Sequence, residues 1–169
     1  MPKLQGFQRS LYYYYFLLHI PITLLIDSQV VIPERYHPAS ALFRWHIAQN
    51  NDFLLQEKPT WLYNFVLIEL VLQLPLFFYF ANGLRPTQAT TDQTKLAKAA
   101  ASSKEKNLYR WLRIYGWNAS LSTLICMITI YQRGYYPSTP LVPLVYEDKI
   151  RLILVYLPTF LLPLRLCLL

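Results

Sequence analysis

Glycine is scarce in this chain, four in 169 residues, and none sits in a glycine-rich run. A loop that cradles phosphate through close-packed glycines is therefore excluded. Charge is also scarce, at 15% of residues against roughly 25% in a soluble domain. Only two cysteines occur, Cys126 and Cys167. Both lie in apolar runs without metal-ligand spacing, so they read as small buried hydrophobes. The histidines, His19, His37 and His46, are too scattered for a metal site. No metal and no cofactor is expected. What is abundant is apolar surface, 54% of residues, carried with a net charge of +7. In a soluble protein that charge would hint at nucleic acid. Here the basic side chains flank apolar runs, which suits orientation in a bilayer, and no nucleic-acid partner is expected.

A helix needs about 20 residues to cross about 30 Å of hydrocarbon. Four stretches qualify: 11–32, 61–80, 111–131 and 150–169. The first is longer than a signal-peptide core and lacks a small-residue cleavage site, so it reads as a retained anchor. Tyr12 to Tyr15 at its start suit the headgroup belt. The expected fold is all-α: a membrane protein, one domain over 1–169, a four-transmembrane-helix bundle around an intramembrane pocket. Between the first two crossings, PASALFRWHIAQ places Leu42, Trp45 and Gln49 at helical spacing. It reads equally as an amphipathic helix on the membrane surface or as an ordinary interfacial turn. Residues 81–110 are polar, without an apolar face, and read as a mobile, partly helical loop. Residues 132–149 read as another loop, with three prolines. Lysine and arginine are more numerous on the side of the amino terminus and the 81–110 loop, which puts both termini in the cytosol.

Two acids fall inside the expected crossings, Asp27 and Glu69. A charged side chain at mid-bilayer costs roughly 3 kcal/mol or more, so such residues mark sites by default. His19, Thr23 and Asp27 recur every four residues and share a face. Glu69 and Gln73 do the same on the second helix. Counting residues places Asp27 about 6 Å and Glu69 about 12 Å from one membrane face, within mutual reach. Two adjacent carboxylates cannot both ionise cheaply, so a single shared proton is expected. Such a dyad can hold a cationic amine or a sterol hydroxyl, or relay a proton. It can equally serve only to lock two helices together. Pro21, Pro75, Pro158 and Pro163 each free a carbonyl four residues earlier, at Leu17, Val71, Leu154 and Thr159. Those carbonyls need partners or water. Thr123 is expected to bond its own backbone, Tyr156 to be core or pocket wall, and Asp52 to be a turn or helix cap. Asn118-Ala119-Ser120 matches a glycosylation sequon but lies inside the third crossing.

FLLHIPITLLIDSQVVIP, LLQEKPTWLYNFVLIELVLQLPLFF and VYLPTFLLP together resemble the sigma-2 receptor family, which shares the EXPERA domain with a sterol isomerase, and a fungal member in particular. The resemblance implies a multi-pass protein of the endoplasmic reticulum membrane whose pocket opens sideways to lipid. It implies Asp27 as the acid that pairs with ligand amines, Glu69 hydrogen-bonded to it, and Gln73 and Thr123 in a buried polar network. Asp52 matches a third acid that supports ligand binding structurally. His19 and Tyr156 complete the expected ligand-binding set. The implied ligand is a sterol, an oxysterol or a cationic amphiphilic small molecule. The implied associations are a homodimer and a sterol-transport protein, and the implied role is in cholesterol homeostasis. Fungal relatives add the handling of mitochondrial precursor proteins. The chain departs from this pattern in its basic 81–110 loop, in a carboxyl terminus without a lysine-rich tail, and in Thr159 after a proline.

Two classes of function follow: a non-catalytic membrane receptor for sterols or amines, or a sterol double-bond isomerase. Isomerisation needs a proton donor and an acceptor on opposite sides of a carbocation-like intermediate. The isomerase relatives carry a histidine four residues before the glutamate of the second helix. Phe65 stands there in this chain and cannot transfer a proton, so a non-enzyme is expected. His19 can substitute only where its face turns to the pocket.

Overall fold

The computed structural model describes residues 4–86 and 95–169. Helix α1 spans Phe7–Leu25 and is followed by a 3-10 turn, Asp27–Val30. Two short helices, α2 (Ser40–Asn50) and α3 (Phe53–Glu57), lead into α4 (Thr60–Ile68). A π-turn, Glu69–Gln73, joins α4 to α5 (Leu74–Leu84), and together they make one long rod. Helix α6 spans Lys95–Arg133, and α7 spans Tyr146–Leu166. Between α6 and α7 lies an antiparallel hairpin, β1 (Tyr135–Tyr136) with β2 (Thr139–Pro143), pairing Tyr136 with Thr139 and Tyr135 with Pro143. The protein is thus mostly helical but not all-α. Helix α1 packs on α5, and α6 packs on α7.

Several ends differ from the sequence expectation, each for a local reason. Helix α1 stops at Leu25 rather than continuing to 32. Ser28 Oγ donates to the Leu24 carbonyl and Gln29 Nε2 to the Leu25 carbonyl, so side chains satisfy the last acceptors in place of further backbone N–H groups. Asp27 therefore lies just past the helix, not within it. Helix α6 starts at Lys95, so the expected loop over 81–110 is helical from there onward, and α5 itself reaches Leu84. The stretch is rich in alanine, lysine and leucine, which favour helix even without an apolar face. Residues 87–94 lie outside the described region.

The π-turn answers the missing N–H of Pro75. The Leu74 N–H reaches back five residues to the Glu69 carbonyl, so the hydrogen-bond ladder widens where proline interrupts it. Helix α3 is capped by the Asp52 carboxylate, which accepts from the Leu55 N–H. Two non-glycine residues close short helices in the left-handed region, Asn51 (φ 53°) and Lys58 (φ 48°). Asparagine tolerates this conformation. Lysine does so at a cost of about 1 kcal/mol, offset here because Lys58 Nζ donates to the Gln29 carbonyl at 2.8 Å.

Two apolar cores form at opposite ends of the rods. One gathers Tyr12, Phe16, Phe77, Phe80, Leu112 and Leu166. The other gathers Phe43, Phe53, Leu62, Val66, Ile130 and Leu152. Gly116 lets α6 and α7 approach closely: a Cβ there would lie 2.7 Å from the Pro163 carbonyl oxygen and 3.1 Å from Leu166 Cβ. Gly116→Val is expected to force the helices apart and destabilise by about 1–3 kcal/mol, read as a lowered thermal midpoint of the detergent-solubilised protein. An unchanged midpoint would show that the contact is not tight.

Thr60–Leu84, 25 residues at mean hydropathy 1.8, is the one helix among the described residues long and apolar enough to cross a membrane on composition alone. Four crossings were expected. The shortfall has a visible cause: α1 carries four tyrosines, Arg9 and His19, and α7 carries charges in its first and last turns.

Candidate functional site

Between the two cores lies a cavity of about 330 Å³. It is built from α1, the Asp27 turn, the α2–α3 segment, the α4–α5 rod, α6 and α7. Asp27, Glu69, Gln73, Thr123, Tyr156, His19 and Asp52 all line it. The structure thus places these seven residues around one cavity.

Glu69 is held by side chains of α1. Its position at the head of the π-turn aims it at α1. Thr23 Oγ1, fully buried, donates to Glu69 Oε1 at 2.7 Å, and His19 Nε2 lies 3.5 Å from the same oxygen. The Thr23 side chain also lies beside Asp27, four residues further on. One threonine, on the face that also carries His19, therefore links the two acids. Asp27, like Glu69, keeps part of its surface open.

Asp52 holds a second knot. It is fully buried, and besides capping α3 it accepts from the Tyr156 hydroxyl at 2.8 Å and lies 3.5 Å from His46 Nε2. Asp52 is thus the expected helix cap, and it also lines the cavity. Tyr156 is pocket wall. Gln73 Nε2 donates to Asn118 Oδ1 at 2.8 Å and so ties the π-turn to α6. Thr123 corrects expectation: its hydroxyl points across to the Thr159 carbonyl of α7 at 3.5 Å rather than along its own helix. That carbonyl is one that Pro163 leaves without its usual partner, so a polar side chain on α6 fills the vacancy proline creates.

Sequence reasoning missed His46, Tyr15 and Tyr115 as cavity residues. Tyr15 and Tyr115 pair hydroxyl to hydroxyl at 2.8 Å, and the Tyr15 ring stacks on His19 at 5.2 Å between centroids. Tyr15 had a signal: it stands four residues before His19 and extends the same helical face. His46 and Tyr115 enter only through tertiary packing.

Electrostatically the cavity is one-sided. Three carboxyl groups line it, and no lysine or arginine does among the described residues. Apolar walls from Ile22, Leu62, Phe65, Val66 and Val155 enclose them. Such a site favours a cation carried on a hydrophobic body.

A model of EXPERA, the EXPanded EBP superfamily, matches residues 38–168. The chain belongs to the EXPERA family. Among similar proteins is "Efficient mitochondria targeting-associated protein 19" of Saccharomyces cerevisiae, 49% identical over 168 residues, 98% of each chain. Another is "Sigma intracellular receptor 2" of Xenopus tropicalis, 30% identical over 164 residues, 94% of this chain and 84% of that one. The Homo sapiens protein of the same name is 48% identical over 65 residues, 37% of each chain. The resemblance to the sigma-2 receptor seen in the sequence is therefore real kinship. EXPERA membership and the Thr60–Leu84 helix agree in pointing to a membrane location.

Within this EXPERA chain the acids are not equivalent. Glu69 has Thr23 and His19 beside it as partners, and both acids keep part of their surface open.

Proposed function

We propose that the protein is a multi-pass membrane receptor that binds a sterol or a hydrophobic amine in this cavity, within the bilayer, without catalysing a reaction on it. One observation carries the reading: among the described residues, three carboxyl groups and no lysine or arginine face a cavity with apolar walls. The four long helical rods cross the membrane together, with both termini cytosolic and the membrane being that of the endoplasmic reticulum. Within α1 and α7, Thr23 and Tyr156 spend their hydroxyls on acids inside the protein rather than facing lipid. Asp27 pairs with the ligand cation, Glu69 holds the arrangement through Thr23, and a sterol hydroxyl takes the same place when the ligand is neutral. The role is sterol homeostasis or trafficking.

Binding is tested on the purified full chain by extracting and identifying its co-purifying lipid by mass spectrometry, then displacing it with a long-chain tertiary amine. The expected result is a sterol released by the amine. Phospholipid alone, unmoved by the amine, overturns the reading.

An isomerase keeps one specific support. His19 does turn to the cavity, 3.5 Å from Glu69, meeting the condition under which it could stand in for the histidine that Phe65 replaces. Expression in a cell lacking sterol isomerase, with sterols profiled, decides between them. No isomer conversion is expected, and restored conversion makes the protein an enzyme. The relative at 49% identity also supports a role beside mitochondrial targeting, in which an occupied or empty cavity would set the state of a protein partner.

A further inference from the structure

A second, larger cavity of about 630 Å³ opens beside α2, on the outer side of the α2–α3 segment. Its chemistry is the reverse of the inner one. Arg44 and Lys58 line it, with Glu34 the one carboxylate among its lining residues. We propose that this groove binds the phosphodiester of a membrane phospholipid headgroup, with Arg44 and Lys58 as its partners.

Depth is the first argument. Lys58 lies two residues before Thr60, where the apolar 25-residue helix begins. A groove built around Lys58 therefore sits where hydrocarbon ends and headgroups start. Tyr36 and Trp45, 63% and 59% exposed, stand on the neighbouring surface, and amphipathic rings settle at that level.

Availability is the second. Arg44 is exposed and has no hydrogen-bond or ion-pair partner among the described residues. Lys58 is fixed but not used up: its ammonium spends one donor on the Gln29 carbonyl, and it sits over the Phe43 ring, 5.4 Å from the centroid. Two of its three donors remain. Ser40, the first residue of α2, also lines the groove, and that helix has no side-chain N-cap, so its leading N–H groups open onto the same space.

Charge sets the ligand class. Two cations against one carboxylate leave a single net positive charge, which suits the single negative charge of a phosphodiester. The membrane supplies that group at this depth, on a diacyl body whose tails run down beside the apolar rod. Leu55 is a wall of both cavities, so the headgroup site borders the inner one without sharing its acids. The inference rests on Thr60–Leu84 crossing the bilayer, and not on what the inner cavity holds.

Native mass spectrometry of the full chain in mild detergent tests it. The probes are short-chain phosphatidylglycerol and phosphatidylcholine, the diacylglycerol with the same chains, and water-soluble glycerophosphate. Both phospholipids are expected to bind about fivefold better than diacylglycerol, the upper range for an exposed charge contact. Arg44→Gln and Lys58→Met should each bring them down towards the diacylglycerol level, and Arg44→Lys should restore much of the difference. Equal binding of diacylglycerol, or phospholipid binding unchanged in both Arg44→Gln and Lys58→Met, overturns the site. Competition by glycerophosphate at matched concentration overturns the membrane as its source. Amine binding by the same Arg44→Gln protein is expected to stay within twofold of the unsubstituted chain. An absence of amine binding in both proteins would fall on the inner-cavity reading alone.

Discussion

Asp27→Asn is expected to weaken binding of a long-chain tertiary amine by at least about a hundredfold, with the helices intact. Removing one partner of a buried ion pair costs several kcal/mol, and about 2.7 kcal/mol already corresponds to that factor. The substitution is nearly isosteric and removes the negative charge while keeping a polar group beside Thr23. It should leave the fold alone, because Asp27 lies in a turn after α1 whose terminal carbonyls are satisfied by Ser28 and Gln29 instead. Glu69→Gln is the informative comparison. Glu69 accepts from Thr23 and neighbours His19, so its loss should weaken binding less than loss of Asp27 and lower stability more. Tritiated-amine saturation binding with circular dichroism on the same samples separates the two. Amine affinity unchanged in Asp27→Asn means the cation pairs elsewhere, with Glu69 and Asp52 the remaining acids of the cavity.

A neutral sterol should respond differently. Its hydroxyl needs a hydrogen-bond partner rather than a charge, and asparagine offers both a donor and an acceptor. Asp27→Asn therefore discriminates between ligand classes: severe for amines, mild for sterols.

The parts of this site that were legible in the sequence are those governed by local periodicity. His19, Thr23 and Asp27 fall on one face because a helix repeats every 3.6 residues, and the face held even though α1 ends before Asp27. Asp52 was legible as a cap because capping is decided within three residues. Its bond to Tyr156, 104 positions away, was not, since nothing local encodes it. The same holds for His46 and Tyr115. The π-turn at Glu69–Gln73 had a signal in Pro75, but a missing N–H can be answered by a kink, by water or by a widened turn, and the sequence does not choose. The hairpin at 135–143 was hidden by its prolines, which read as loop yet are tolerated at the ends of a two-stranded ribbon. The early start of α6 was masked by looking for an apolar face where propensity alone was enough. Family kinship supplied unequal roles for Asp27 and Glu69. The geometry supplies a physical ground for that inequality in the unequal number of partners each acid already has.

The largest effect on stability should come from Asp52→Ala, at about 3 kcal/mol. The side chain is fully buried and serves three elements at once: the first turn of α3 through Leu55, α7 through Tyr156, and α2 through His46. Loss of a helix cap costs about 1 kcal/mol. Loss of a hydrogen bond to a charged group costs about 1.5–3 kcal/mol. Tyr156→Phe removes the second contribution alone and should cost about half as much. The double substitution should then fall short of the sum of the two, because both remove the same bond. Asp52→Asn keeps an oxygen for the cap or for the tyrosine but not for both, and should lie between wild type and alanine. Thermal unfolding in detergent reads the stabilities, and limited proteolysis across residues 50–58 reads whether the α2–α3 segment has come loose. Amine binding should fall in Asp52→Ala as well, since that segment walls the cavity through His46 and Leu55. The pattern then differs from Asp27→Asn, where binding is lost and stability kept. A stable Asp52→Ala protein that nonetheless fails to bind would instead make Asp52 a direct partner of the ligand, and would move the cation from the Asp27 turn towards α7.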